Sequence, residues 1–357
     1  MKKAGIVTFH RALNYGAALQ AYALQNTISE LGAECEVVDY ISPKITLDYK
    51  PFRIYKNDIL KSFAKSCVMC RRRAKRKRAF QSFFNNYIVK SERSYTPETI
   101  SEAKNNYDMF IAGSDQVWSP HCVGFDPVYF LTFANDIQKY SYAASFAVNS
   151  LPQNKIEEYR NRISGFQRIS VREKIGEKIV AELTGQTALT HLDPTLLLSS
   201  DEWSKIAVRK IDKPYILVFS ANPPSSLVSF AKKLSKEKEL PIYYINDAPH
   251  IKKGGINYVV APTVEEFVGY FQHASYVVTN SFHGTAFSVI FNKNLFVEFK
   301  NKHGRNIRSE SLLTSLGIER EIIDGCAEET PVDWSEVNQK LSTEIKKSIS
   351  YLKSIIK

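Results

Sequence analysis

No apolar run in the chain is long enough to cross a bilayer, so no transmembrane helix is expected. After Met1, two lysines lead into a short apolar stretch that is too brief for a signal peptide and reads as a first strand, so a cytoplasmic protein is expected. Cysteine is scarce: Cys35, Cys67, Cys70, Cys122 and Cys326 are odd in number and scattered, which fits free thiols in a reducing compartment. Cys67 and Cys70 form a lone CxxC with no second pair or histidine cluster near it, so neither metal nor redox use is expected. His121, His250, His273 and His303 show no ligand spacing, and no metal site is expected. There is no GxGxxG and no Walker loop, so no dinucleotide or nucleotide-hydrolysis reading follows. There is no zinc finger, helix-turn-helix or RNA-binding signature, and no internal repeat. Acidic residues are also short, 37 against 48 basic, and the net charge of +11 calls for an anionic partner.

Most of that excess is local. Arg71–Arg78 reads RRRAKRKR, seven basic residues in eight, and setting it aside leaves +4 of the +11. Apolar residues recur at helical spacing on both sides, Ile59, Leu60, Phe63 and Val68 before it and Phe80, Phe83, Phe84 and Tyr87 after it. A basic amphipathic helix on an anionic membrane surface is one reading, and a solvated helix face is the other. Nucleic acid lacks a supporting motif and is not expected as a partner.

The length suits two domains, and 44% hydrophobic residues allow ordinary cores. Strand 4–9, helix 17–31 and strand 35–40 make a βαβ signal. Strand–helix alternation resumes at Tyr215 after a polar, charged link. The expectation is α/β: two Rossmann-like open-sheet domains facing a cleft. The first spans 1–195, with a basic helical insertion at about 57–89. A linker covers 196–213, and the second domain spans 214–357. A long terminal helix is predicted over 334–356, with Val337, Leu341, Ile345 and Ile349 on one face.

The stretch Tyr276–Phe291 carries the chemistry. A strand runs into a polar turn and then a helix, with His283 beside Gly284 and with Ser281 and Thr285 as candidate caps. A helix start there favours an anion, and an imidazole beside it can move a proton. Lys300, Lys302, His303, Arg305 and Arg308 follow as a second cationic wall, suited to a small molecule with a phosphate and a carboxylate. Three further strand ends are candidates. Asn14, Tyr15 and Gly16 can meet a polar ligand or simply form a tight turn. Ser114, Asp115, Gln116 and Trp118 suit a sugar, with Trp118 stacking on the ring, or else form a capped turn with a core tryptophan. Arg172 can fork onto a carboxylate or phosphate, or pair with Glu173 at the surface.

Taken in order, TFHRALNYGAALQAYALQ, GSDQVW, YAASF, SVREK, LDPTLLL and TNSFHGTAFS resemble the polysaccharide pyruvyl transferase family from about residue 4 to 316. The resemblance implies a fold similar to glycosyltransferase-B enzymes. It implies transfer of pyruvyl from phosphoenolpyruvate to sugar hydroxyls, giving a cyclic ketal and phosphate with no cofactor. The acceptor it implies is a surface-polysaccharide precursor, in some cases linked to polyprenyl diphosphate, which would suit a basic helix held peripherally at the inner membrane face. Carried onto this chain, His283 matches the active-site histidine and Arg172 a phosphoenolpyruvate-binding arginine. Ser281, Gly284 and Thr285 join the donor site, with a cation from Lys302, Arg305 or Arg308. Asp115 is the candidate for activating a sugar hydroxyl. The chain departs from the family pattern in its basic insertion and in Ala147, where glycine often follows SF. A glycosyltransferase using a nucleotide sugar, and a non-catalytic glycan-binding module, are the competing readings.

Overall fold

The computed structural model describes residues 2–48, 59–220, 225–246, 254–301 and 304–357. They divide into two compact units. The first holds Met1–Arg71, Phe80–Leu197 and Glu344–Lys357, and the second holds Arg72–Ala79 and Leu198–Thr343.

The first unit begins with β1 (Lys3–Val7), α1 (Tyr15–Glu30), β2 (Glu34–Val37), α2 (Pro43–Asp48) and α3 (Ile59–Tyr87). It continues with β3 (Met109–Ala112), β4 (Lys139–Ser141), α4 (Ile156–Ile163), β5 (Ile169–Val171), α5 (Lys174–Thr184) and β6 (Ala188–Thr190). α1 starts two residues earlier than its sequence pattern because Asn14 caps it, accepting the Ala17 amide at 3.2 Å. Four strands form a parallel sheet in the order β2-β1-β3-β4. Bridges Tyr140–Arg168 and Ala144–Val171 carry it on to the parallel β5–β6 pair. The order reverses between β1 and β3, so a ligand crevice is expected at their carboxyl ends. The central strands are the apolar ones: β3 is buried throughout, and β1 from its second residue on.

The second unit holds α6 (Ser200–Ser204), β7 (Ile216–Phe219), α7 (Ser225–Lys238), β8 (Ile242–Ile245), β9 (Ile256–Val259), α8 (Val264–His273), β10 (Tyr276–Thr279) and α9 (Phe282–Ile290). Then come β11 (Asn294–Val297), the short antiparallel pair β12 (Lys300–Asn301) and β13 (Gly304–Arg305), and α10 (Ile307–Leu316). Its five-stranded sheet is parallel in the order β11-β10-β7-β8-β9. Here the order reverses between β7 and β10, which puts the turn after β10 at the switch point.

Two expectations change. The terminal helix α11 (Trp334–Ile356) forms, but residues 344–357 belong to the first unit, not to the domain that precedes them in the chain. Tyr351 there donates to Ser141 O at 2.9 Å, and Ser348 Oγ accepts the Leu192 amide at 3.2 Å. The apolar positions after the basic run are not open to a bilayer either. Phe80, Phe83 and Phe84 are buried, Phe80 lying 5.0 Å from Tyr15 and Phe83 5.8 Å from Tyr22 on α1. Arg71, Lys75, Lys77 and Arg78 stay exposed. The apolar side chains expected before the run, Ile59 to Val68, lie outside the side chains described. Among the described residues no helix is long and apolar enough to cross a membrane.

Candidate active site

In the second unit the site grows from the end of β10. Thr279, fully buried, donates to Phe219 O at 2.6 Å and accepts the Ser281 amide at 3.0 Å, which bends the chain off the sheet. α9 then starts close against its own strand. A Cβ on Gly284 would stand 2.3 Å from Thr279 Oγ1, so only glycine fits. Ser281 sits at the cap position, but its side chain makes no cap bond. Thr285 lies inside the helix, its Oγ1 bonding Ser281 O at 3.1 Å and meeting Ser309 Oγ at 3.2 Å. The expected capping role of these two side chains is therefore replaced by a tie to α10. His283 stands in the first turn, 7% exposed, edge-on to Phe282 at 5.2 Å.

Of the three competing cations, Arg308 is the one whose side chain is placed at this turn. It is the second residue of α10, and its guanidinium lies 5.6 Å from the Phe282 ring. Lys302 lies outside the described residues, and Arg305 ends β13 with its side chain outside them. Sequence reading missed Asn306, Ser309 and Glu298. Asn306 caps α10 and donates to Asn280 O at 2.9 Å. Glu298, 4% exposed, follows β11 and accepts Ser226 Oγ at 2.6 Å. An acid closing the apolar run LFVEF was the available signal for Glu298.

In the first unit the strand-end motifs form one buried network. Arg172, its side chain 3% exposed, pairs with Asp193 at 2.6 Å. Its Nη2 also donates to Ser114 Oγ at 2.5 Å, and Ser114 Oγ lies 3.2 Å from Asp193 Oδ2. Asp193 in turn accepts the Thr195 amide at 3.0 Å and hydroxyl at 2.6 Å. Arg172 and Glu173 are thus both buried rather than at the surface, and Glu173 accepts Ser145 Oγ at 2.5 Å. His191 beside this network bonds Ser170 Oγ at 2.8 Å under the Tyr351 ring at 4.6 Å, and burial pushes its imidazole down to about 4.

Four acceptor candidates are corrected. Ser114 is fully buried in that network. Trp118 is fully buried, stacked on Phe130 at 5.9 Å, with its indole N–H on Tyr129 O at 3.2 Å, so no ring face is left for a sugar. Tyr15 and Gly16 are buried in the first turn of α1, so they are neither open to a polar ligand nor part of a tight turn. Asp115, Gln116 and Asn14 keep solvent access. Asp115 is held at φ +72° and bridges to Ala144 in the segment after β4, where Ala143 at +46° and Ala147 at +54° also lie. Non-glycine residues in this left-handed region concentrate where a site dictates backbone shape.

The end of β1 carries a second cluster that sequence reading passed over. His10 Nε2 lies 2.9 Å from Asp39 Oδ1, Arg11 forks onto Asp39 at 2.8 and 2.7 Å, and Ser94 adds 2.6 Å. Burial pushes the Asp39 carboxyl up, but the bonds from His10, Arg11 and Ser94 outweigh it and hold the group far below the carboxylate range.

Solved structures share this architecture at low identity. UDP-GlcNAc 2-epimerase from Methanocaldococcus jannaschii is 9% identical with TM-score 0.51, covering 96% of this chain and 92% of its own. S. aureus MnaA, solved with UDP, is 10% identical with TM-score 0.51, covering 100% and 91%. These likenesses establish a glycosyltransferase-B-like α/β fold. No curated protein sequence matches the chain. The family model of polysaccharide pyruvyl transferase matches residues 14–297, a span that takes in the Asn14 cap, the Arg172–Asp193 network and the His283 turn. The chain belongs to the polysaccharide pyruvyl transferase family, and it is a transferase.

Proposed function

We propose that the chain moves the pyruvyl group of phosphoenolpyruvate onto two hydroxyls of one sugar, forming a cyclic ketal and releasing phosphate. The observation that carries the reading is the buried His283 in the first turn of α9, at the switch point of its sheet and beside Phe282 and Arg308, in a chain of this family. The donor's methylene carbon gains a proton as the first sugar oxygen bonds the neighbouring carbon. The second oxygen then displaces phosphate, whose departing pair takes up the second hydroxyl proton. His283 supplies the methylene proton, a role worth about 10²–10⁴-fold. Arg308 and Arg172 are assigned to the donor's anionic groups, with Ser281, Gly284 and Thr285 shaping the turn around them. Asp115 takes the hydroxyl proton, with Asn14 and Gln116 toward the sugar. The scheme needs neither metal nor cofactor.

The acceptor is a surface-polysaccharide precursor, and the exposed Arg71, Lys75, Lys77 and Arg78 favour a polyprenyl-diphosphate link at an anionic inner membrane face. With the following apolar positions buried on α1, that contact is electrostatic. The test is phosphate release from phosphoenolpyruvate with lipid-linked and nucleotide-linked sugars, the product checked by mass for one ketal rather than one hexosyl. His283→Ala should lower turnover at least 10²-fold. Near-normal release by that variant would sink the assignment.

A further inference from the structure

The histidine turn is tied down from outside itself. Asn306, 6% exposed, donates through Nδ2 to Asn280 O at 2.9 Å and to Ser309 Oγ at 2.8 Å. Ser309 Oγ meets Thr285 Oγ1 at 3.2 Å, and Thr285 Oγ1 returns to Ser281 O at 3.1 Å. The two carbonyls that precede α9 are therefore both held by side chains of one buried chain of hydrogen bonds, and that chain begins at the cap of α10. Asn306 also sets α10 itself, accepting the Ser309 amide at 3.5 Å while its own amide bonds Phe299 O at 2.6 Å. Two residues on, Arg308 faces Phe282, the neighbour of His283.

A helix cap needs only an acceptor for an amide in the first turn. The donor side of Asn306 is not required for that, and it goes to Asn280 O ahead of α9 and to Ser309 Oγ, the link to Thr285. We propose that Asn306 is a positioning residue, which sets the start of α9 with His283 and the start of α10 with Arg308 in one frame. The proposal rests on the pyruvyl-transfer reading for the reaction that this frame serves. Buried networks of this kind hold their members rigidly when every group is matched. Misplacing a reacting group by an ångström costs on the order of 10²-fold.

Asn306→Asp separates the two roles. Aspartate caps as well as asparagine, so α10 keeps its start, but no N–H remains for Asn280 O. With the same lipid-linked and nucleotide-linked sugars as acceptors, kcat for phosphate release from phosphoenolpyruvate should fall about 10²-fold, and KM for the donor should rise less than about tenfold. The ¹⁵N resonances of the His283 imidazole should move. Thr285→Val cuts the branch to Ser281 O and should lower kcat as well, whereas Thr285→Ser keeps the hydroxyl and should restore it to within about threefold. Unchanged kcat and unmoved His283 resonances in Asn306→Asp overturn the proposal. Should Asn306→Asp fail to fold, Thr285→Val carries the same readings. A wild-type chain that turns over no phosphoenolpyruvate defeats the donor reading, and the imidazole resonances alone then decide the positioning role.

Discussion

Replacing Asp193 by alanine should unsettle the first unit far more than its small size suggests. The carboxylate is fully buried, pairs with Arg172 at 2.6 Å, and accepts both the Thr195 amide and hydroxyl. Its loss leaves a guanidinium 3% exposed without its counter-charge. Removing one partner of such a pair costs about 3–5 kcal/mol, because the remaining charge stays desolvated. For a unit of this size about 4 kcal/mol lowers the melting temperature by roughly 8–16 °C. Circular dichroism melts at neutral pH read this directly. The double variant Arg172→Met with Asp193→Leu removes both charges and should recover most of the loss. It should remain inactive, since the proposed donor arginine is gone. A melt of Asp193→Ala within about 2 °C of wild type would refute the argument, as would a double variant no more stable than the single one.

Three further outcomes follow from other features. Ala147 holds φ +54°, a conformation that favours glycine; Ala147→Gly should stabilise by about 0.5–1 kcal/mol, the left-handed cost less glycine's greater unfolded freedom, and a lower urea midpoint would count against it. The buried His191 titrates at about 4 when folded against about 6.5 unfolded, so the unfolded chain binds more protons between those values and stability drops by about 2–3 kcal/mol as pH falls through that window. His191→Phe should flatten the dependence in urea titrations at pH 4.5 and 7, and an unaltered slope would exclude His191 as its source. Serine at Arg71, Lys75, Lys77 and Arg78 should weaken low-salt sedimentation with anionic vesicles by about 10²–10³-fold, at about 1 kcal/mol for each charge; a wild-type chain that ignores such vesicles removes the membrane contact.

Much of the architecture was legible because parallel strands buried on both faces read as short apolar runs, and helices such as α1 and α11 keep their period. The strand, turn and helix around His283 were legible as well. What could not be read was partnership across the chain. Arg172 could be read only as an anion-binding arginine or as a surface partner of Glu173, yet it pairs with Asp193, reached only once β5 and β6 lie side by side. Trp118 follows a strand in a polar stretch, and only the packing of Phe130, Phe146 and Phe166 around it makes it core. Asn306 is an unremarked amide until α10 folds against the turn before α9. Local pattern carries element type; which side chains meet is decided by the register and packing of the folded units.

The return of residues 344–357 to the first unit has a consequence for biosynthesis. Chains are made from the amino end, and early domains ordinarily fold before later ones emerge. Here Ser141 O and the His191 ring wait for Tyr351, which the ribosome adds only after the entire second unit. The first unit made is therefore the last to be completed. A nascent chain halted anywhere between Leu198 and Thr343 would carry an unclosed first unit, a natural substrate for holding chaperones and for quality-control proteases.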